Sequence, residues 1–170
     1  MIDWQERIDA VWAAASELGE EQVLAGIDAL VSELPPDDPR GWFEAAGARD
    51  SAGLESDAEP RYRRALDLGL DGRARIEAHI QLASTVRNLG RPEEALALLD
   101  AVSDEPGDLV DAIAAFRALA LASAGRADAA ASVALVALAP HLTQYRRSVD
   151  AYARELPARP KAGEEPDAGV

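Results

Sequence analysis

The chain is expected to be all-α, folded as a stack of helix–turn–helix units, and three observations lead there. One spacing of small and bulky residues occurs three times: Ala58-x3-Tyr62-x2-Ala65, Ala95-x3-Leu99-x2-Val102 and, blurred, Ala130-x3-Ala134-x2-Ala137. The leading alanines stand 37 and 35 residues apart, a period typical of stacked helical hairpins. No segment alternates apolar and polar residues at the two-residue period of a strand.

The elements follow in order. Trp4, Ile8, Val11, Ala15 and Leu18 recur at helical spacing and predict a first helix closed by Gly19. Val23, Ile27, Leu30 and Leu34 mark a second, stopped by Pro35-Pro36. Small residues are poorly spaced there, so residues 1–36 read as a divergent capping hairpin. Asp37-Asp38-Pro39 is a helix start, an acidic cap followed by proline in the first turn. That helix runs to about Ala52 and turns at Gly53. The next spans about Ser56 to Leu68, and a long one runs from about Gly72 to Leu89. Pro92 opens a sixth, to about Val102, and Pro106-Gly107 breaks the chain before a helix reaching Ala124. Gly125 turns the chain again, and an eighth helix ends at Ala139 before Pro140. Tyr145, Val149, Tyr152 and Leu156 trace the apolar stripe of a last helix. Its polar face would close the open end of a stack. Repeats are thus expected at about 39–72, 76–109 and 111–142, with a cap helix at 143–156, and residues 1–156 form one domain. The Pro-, Gly- and acid-rich residues 157–170 are expected to be a disordered tail.

Composition narrows the function. Hydrophobic residues make up 48%, much of it alanine, with aromatics at only 5%, a composition suited to helices that approach closely. Cysteine is absent, which rules out disulfides and thiolate metal sites and accords with the cytoplasmic location expected. The acidic start (Asp3, Glu6, Asp9) does not read as a secretory leader, and the most apolar stretch, Leu119–Ala139, is interrupted by Arg126 and Asp128. No membrane partner is expected. A net charge of −14 argues against nucleic acid, whose backbone attracts clustered cations. Charge is uneven: residues 1–60 hold 3 basic and 15 acidic side chains, residues 61–91 hold 7 and 3.

Longer stretches carry a family resemblance. Trp42, Ala45, Ala46, Gly53, Ala58, Tyr62 and Ala65 follow the tetratricopeptide pattern, with Arg49 where an aromatic residue is usual. Leu82, Ala83, Gly90, Ala95 and Leu99 repeat it, with His79 at the tryptophan place. Ala118, Leu121, Gly125 and Ala130 form a third copy, in which Arg117 takes a usually apolar position and leaves the helix rotation open. The strings Phe43–Leu70 and Ile80–Leu99 resemble the bacterial tetratricopeptide family five subgroup. The resemblance implies a right-handed solenoid of about three repeats whose first helices line a concave groove. It places Phe43, Gly47 and Asp50 in that groove from unit one. Gln81, Ser84, Arg87 and Asn88 follow from unit two, and Phe116 from unit three, beside Ala115 and Leu119.

Matching positions are expected to bring Arg40 beside Glu77 and Asp50 beside Arg87. These are either ion pairs between helices, or, for Arg87 and Asn88 with Gln81 and Ser84, donors to a bound peptide. Gly47 and Ser84 leave room at the groove centre. Glu44, Gln81, Ala112 and Phe116 stand where some relatives use Lys, Asn and Arg to clamp a terminal carboxylate, so recognition of chaperone tails is not expected. The apolar third unit would receive either a partner segment or the chain's own terminal helix. Arg61, Arg63, Arg64, Arg73 and Arg75 form a basic cluster. It reads either as placement near a helix C-terminus, attracted to the acidic N-terminal third, or as a docking patch for an acidic protein.

Catalytic patterns are missing. His79 reads as packed and His141 as a cap or surface residue, with no second ligand at metal spacing, no phosphate loop and no nucleophile elbow. Glu20-Glu21 and Glu93-Glu94 fall at helix starts, where the dipole favours them. Neither enzyme activity nor a cofactor is expected. The leading expectation is a protein-interaction module that holds a peptide or helix in its groove. The alternatives are a self-associating homo-oligomer and, more weakly, an enzyme.

Overall fold

A computed structural model describes residues 3–105 and 107–156. The expected tail at 157–170 and Pro106 lie outside the described residues. The helices are α1 (Trp4–Ala13), α2 (Glu20–Val31), α3 (Pro39–Ser51), α4 (Glu55–Asp67), α5 (Gly72–Asn88), α6 (Pro92–Asp100), α7 (Val110–Ser123), α8 (Ala127–Leu138) and α9 (Arg146–Glu155). A 3-10 turn, Ala139–His141, follows α8, and there is no strand among the described residues. Each helix packs on the next, and α5 also touches α3 and α7.

Local chemistry sets the helix limits. Asp3 caps α1, taking a hydrogen bond from the Trp4 amide at 2.8 Å while Glu6 bonds back to the Asp3 amide at 3.1 Å. Asp38 accepts from the Arg40 amide at 3.0 Å, and Pro39 occupies the first turn of α3. Gly53 and Gly90 end α3 and α5 at φ +69° and +82°. The amide one residue later then returns to the carbonyl of Arg49 or Val86. Only a residue without Cβ enters that left-handed region freely, so the hairpin turns recur with the repeat.

The alanines mark the helix crossings. Ala46, Ala58 and Ala95 are fully buried, and Ala83 and Ala130 are nearly so. With only a methyl at these places the backbones meet closely, and Tyr62 and Leu99, both 0 % exposed, fill the space beside them. One core runs from Ala46 to Ala130, and the hairpin α1–α2 holds a second cluster of Ile8, Val23, Ile27 and Leu30 that closes on Ala48 of α3.

Three expectations need correction. α1 ends at Ala13, not near Gly19, because 3-10-type bonds such as Ala15 N–H to Trp12 O tighten the chain. In the third unit Ala134 is exposed, and Ala118 is less buried than Ala120. Arg117, too polar for the interior, turns α7 until its guanidinium meets Asp100 at the surface, which draws Ile113 and Ala120 inside. In α9 the expected tyrosine stripe points outward. Tyr145 sits before the helix at φ +63°, Tyr152 is exposed, and the small Ala153 is buried.

The first expected outcome concerns the crossings. Ala95→Glu would place an uncompensated charge where a methyl now fits, costing about 3 kcal/mol or more. Thermal melts followed by circular dichroism should show a large drop in Tm; an unchanged Tm contradicts this packing.

Candidate functional site

The first helices of successive hairpins are α1, α3, α5 and α7; α5 packs on both α3 and α7, and part-buried polar contacts join α1 to α3 and α3 to α5. Trp12 on α1 donates its indole N–H to Glu44 Oε2 on α3 at 2.7 Å. Its ring lies over Gly47, where a Cβ would stand 3.4 Å from Trp12 Cζ2 and 3.7 Å from Gln81 Oε1. The room that Gly47 was expected to leave open is therefore occupied by Trp12. The Tyr62 hydroxyl, rising from α4 through the core, donates to Gln81 Oε1 at 2.6 Å, and Phe43 leans on the Tyr62 ring at 6.2 Å between centroids. Thr85 donates to Asp50 Oδ1 at 3.0 Å, tying α5 to α3, and its oxygen also lies 2.9 Å from the Gln81 carbonyl.

Neither expected ion pair forms. Arg40 bonds to Asp38 at 2.7 Å and lies over the Trp4 ring at 5.3 Å, while Glu77 takes Arg73 at 2.7 Å. Arg87 donates to Asn88 Oδ1 at 2.9 Å, and its Nε is shielded from solvent without a hydrogen-bond partner. Arg40, Glu77 and Arg87 take partners within four residues, which costs less side-chain freedom, while Asp50 takes the Thr85 hydroxyl. Asn88 is exposed and reaches Glu55 Oε1 at 3.4 Å; Ser84 is half-buried beside Thr85.

Burial shapes the electrostatics. Glu44 is 8 % exposed. Desolvation pushes its carboxyl above the usual range, opposed by hydrogen bonds from Trp12 and Gln5 and reinforced by the charges of Asp9 and Glu77. Burial likewise raises Asp50, against the Thr85 bond and with help from Glu55. The Tyr62 hydroxyl is pushed up by burial, then by Asp50 and Glu44. This part of the face is acidic. On α7 it becomes apolar: Phe116 is half-buried, Ala115 and Ala122 are exposed, and Leu119 is 46 % exposed. α9 packs on α8 and the 3-10 turn, so this strip is left uncovered by the terminal helix that was expected to fill it.

The basic cluster is largely consumed internally. Arg63 pairs with Glu59 and Glu94, Arg73 with Glu77 and Asp108, and Arg75 with Glu105. Of these acids Glu59 belongs to the acidic segment 1–60, whereas Glu77, Glu94, Glu105 and Asp108 lie further along the chain, on the same hairpin as their arginine or the next. Arg64 is exposed, and Arg61 bonds only the Asp57 carbonyl among the described residues. His79 bonds the Arg75 carbonyl through Nδ1 at 2.8 Å, and His141 Nε2 lies 2.9 Å from Asp111 at the surface. Among the described residues no cluster of His, Cys, Asp and Glu could hold a metal ion, and no helix is long and apolar enough to cross a membrane.

The pairwise stack has a counterpart among known families: the model described as Tetratrico peptide repeat matches residues 39–156. The chain belongs to this family. Its tetratricopeptide repeats are of the family-five type, and proteins of the family generally serve as protein–protein interaction modules and are typically non-enzymatic. No curated protein and no solved structure matches the chain.

Reading the sequence missed Trp12 and Thr85. Thr85 lies 35 residues after Asp50, two short of the 37 that separates matching positions of the first two units, so the repeat register pointed to Arg87 instead. Trp12 sits at the edge of the α1 stripe, with no spacing to set it apart from a core residue.

The raised Glu44 carboxyl has a signed consequence. The folded state holds this proton more tightly than the unfolded chain, so stability falls as pH rises from the ordinary carboxylate pKa through the raised one. Glu44→Gln, which keeps an acceptor for Trp12, should raise Tm at pH 7.5, by about 1 kcal/mol in stability. The gain should fade on acidification to pH 4.5; a gain equal at both pH values contradicts the assignment.

Proposed function

We propose that the chain binds a protein segment laid along the face of α1, α3, α5 and α7. The segment presents a basic side chain to the acidic part and apolar side chains to the α7 strip. The observation that carries this is the division of the face. Asp9, Glu44 and Asp50 gather at one part, and Ala115, Phe116 and Leu119 lie uncovered at the other. Gln81, Ser84, Arg87 and Asn88 lie between and supply hydrogen bonds to the bound backbone. Phe43 and Gly47 shape the floor through Tyr62 and Trp12. Family membership supports a protein ligand, and a segment of this charge should bind less well as salt rises.

Panning a displayed peptide library against the full chain should select sequences that combine Lys or Arg with apolar anchors. Leu119→Asp should then weaken the selected peptide about tenfold or more, and Asp9→Lys should remove the preference for a basic residue. Binding that survives both changes would sink this reading.

A second reading, self-association, rests on Leu138, Tyr145 and Tyr152, which are large and exposed at the α9 end. Sedimentation across protein concentrations separates the two, because Tyr152→Glu should dissolve any oligomer built there.

A further inference from the structure

The first junction between hairpins contains a cavity that the repeat pattern would fill. One period on, the corresponding α5 positions hold Leu82 and Val86, 1 % and 0 % exposed. On α3 the same two places hold Ala45 and Arg49. Ala45 is too short, and Arg49 swings out to grip Asp28 at 2.7 and 2.9 Å. What remains is a cavity of about 500 Å³ between the end of α2, the Pro35-Pro36 linker, α3 and α4. That is within the range of small-molecule sites, which are mostly apolar with few polar groups.

Its walls are Val31, Leu34, Pro35, Trp42 and Ala45. The Trp42 indole N–H donates to the Pro36 carbonyl at 2.8 Å, which fixes the ring as one wall. The two carboxylates in the lining already have partners: Asp28 is held by Arg49, and Asp38 by Arg40. Two arginines also line the cavity: Arg49 is taken up by Asp28, whereas Arg61 of α4 has no carboxylate within ion-pair distance among the described residues and bonds only a backbone carbonyl. A planar guanidinium in that state has donors left for a planar anion.

We propose that this cavity binds a small carboxylic acid with an aromatic or branched apolar body. The body packs against Trp42 and the carboxylate is held by Arg61. The site is separate from the first-helix face, so its failure leaves the peptide-binding reading untouched.

The test uses the full chain with labelled indole nitrogens and 4-phenylbutyrate as probe. The Trp42 indole signal should shift to saturation while those of Trp4 and Trp12 stay in place. The neutral 4-phenylbutanol should bind about tenfold more weakly, and Arg61→Ala should erase that difference. Ala45→Leu, which installs the side chain found at Leu82, should abolish the shift. Should that variant lose its helical circular dichroism, Arg61→Ala decides alone. Equal binding of acid and alcohol, or no saturation by about 10 mM probe, overturns the proposal. So does tighter binding of a tripeptide ending in Phe, which would make the ligand a chain terminus.

Discussion

Close approach of helix backbones at a few alanines is the constraint on which the rest of this structure depends. Ala46, Ala58, Ala83 and Ala95 are buried where neighbouring helices meet, each with only a methyl to place between them. The crossing distance is therefore set by backbone and methyl, not by flexible side chains. Bulk must be placed beside the crossings, and with so few aromatics that task falls to Tyr62, Leu82, Leu99 and Val102. Tyr62 does more than fill space: its hydroxyl reaches Gln81 and couples the packing of α4 to α5. Where the third unit lacks a bulky residue at Ala134, packing loosens, and α7 settles by the placement of Arg117 instead.

Charge reinforces this geometry at the surface. Ion pairs cross the junctions in sequence: Arg49 to Asp28, Arg63 to Glu94, Arg91 to Glu59, Arg117 to Asp100 and Arg126 to Glu93. All these cations are arginine, whose forked donors suit a carboxylate on a neighbouring helix. Exposed pairs of this kind add little stability singly. Each is satisfied in one stacking register, however, so together they favour one alignment of hairpins over slipped alternatives. The basic segment 61–91 is therefore largely an internal fastening, and the outer surface keeps the acidic character of the whole chain.

The parts of the fold that were legible in the sequence are those governed by short-range rules. Helix ends at Pro39, Gly53, Gly90 and Pro92 follow from φ restrictions that act over three or four residues. The buried alanines follow from a period. Rotation of a helix about its own axis does not. For α9 the choice between burying Tyr152 and burying Ala153 depends on how closely α8 can approach, a property of the pair. The same holds at the candidate site. Position along the repeat brought Phe43, Gly47, Asp50 and Gln81 to one face. It could not show that Asp50 prefers the Thr85 hydroxyl to the Arg87 guanidinium, because that preference is settled by side-chain reach and desolvation.

Departures from the repeat are therefore where chemistry has room to appear. A residue that obeys the pattern is spent on packing: Leu82 and Val86 are buried in the second junction and fill it. Ala45 and Arg49 leave the first junction unsealed. Glu44, facing Trp12 across α1 and α3, keeps a carboxylate buried at a cost in stability that no packing requirement explains. Ala115 and Leu119 leave apolar surface in water where α9 could have covered it. Each departure weakens the stack locally, and all three lie on or beside α3 and α7, the helices that flank the most regular unit. A well-packed central hairpin can carry imperfect neighbours, because each unit in such a stack is stabilised through its nearest contacts. That arrangement confines the cost of a buried acid, an open junction and a bare strip to the places where a ligand could offset it.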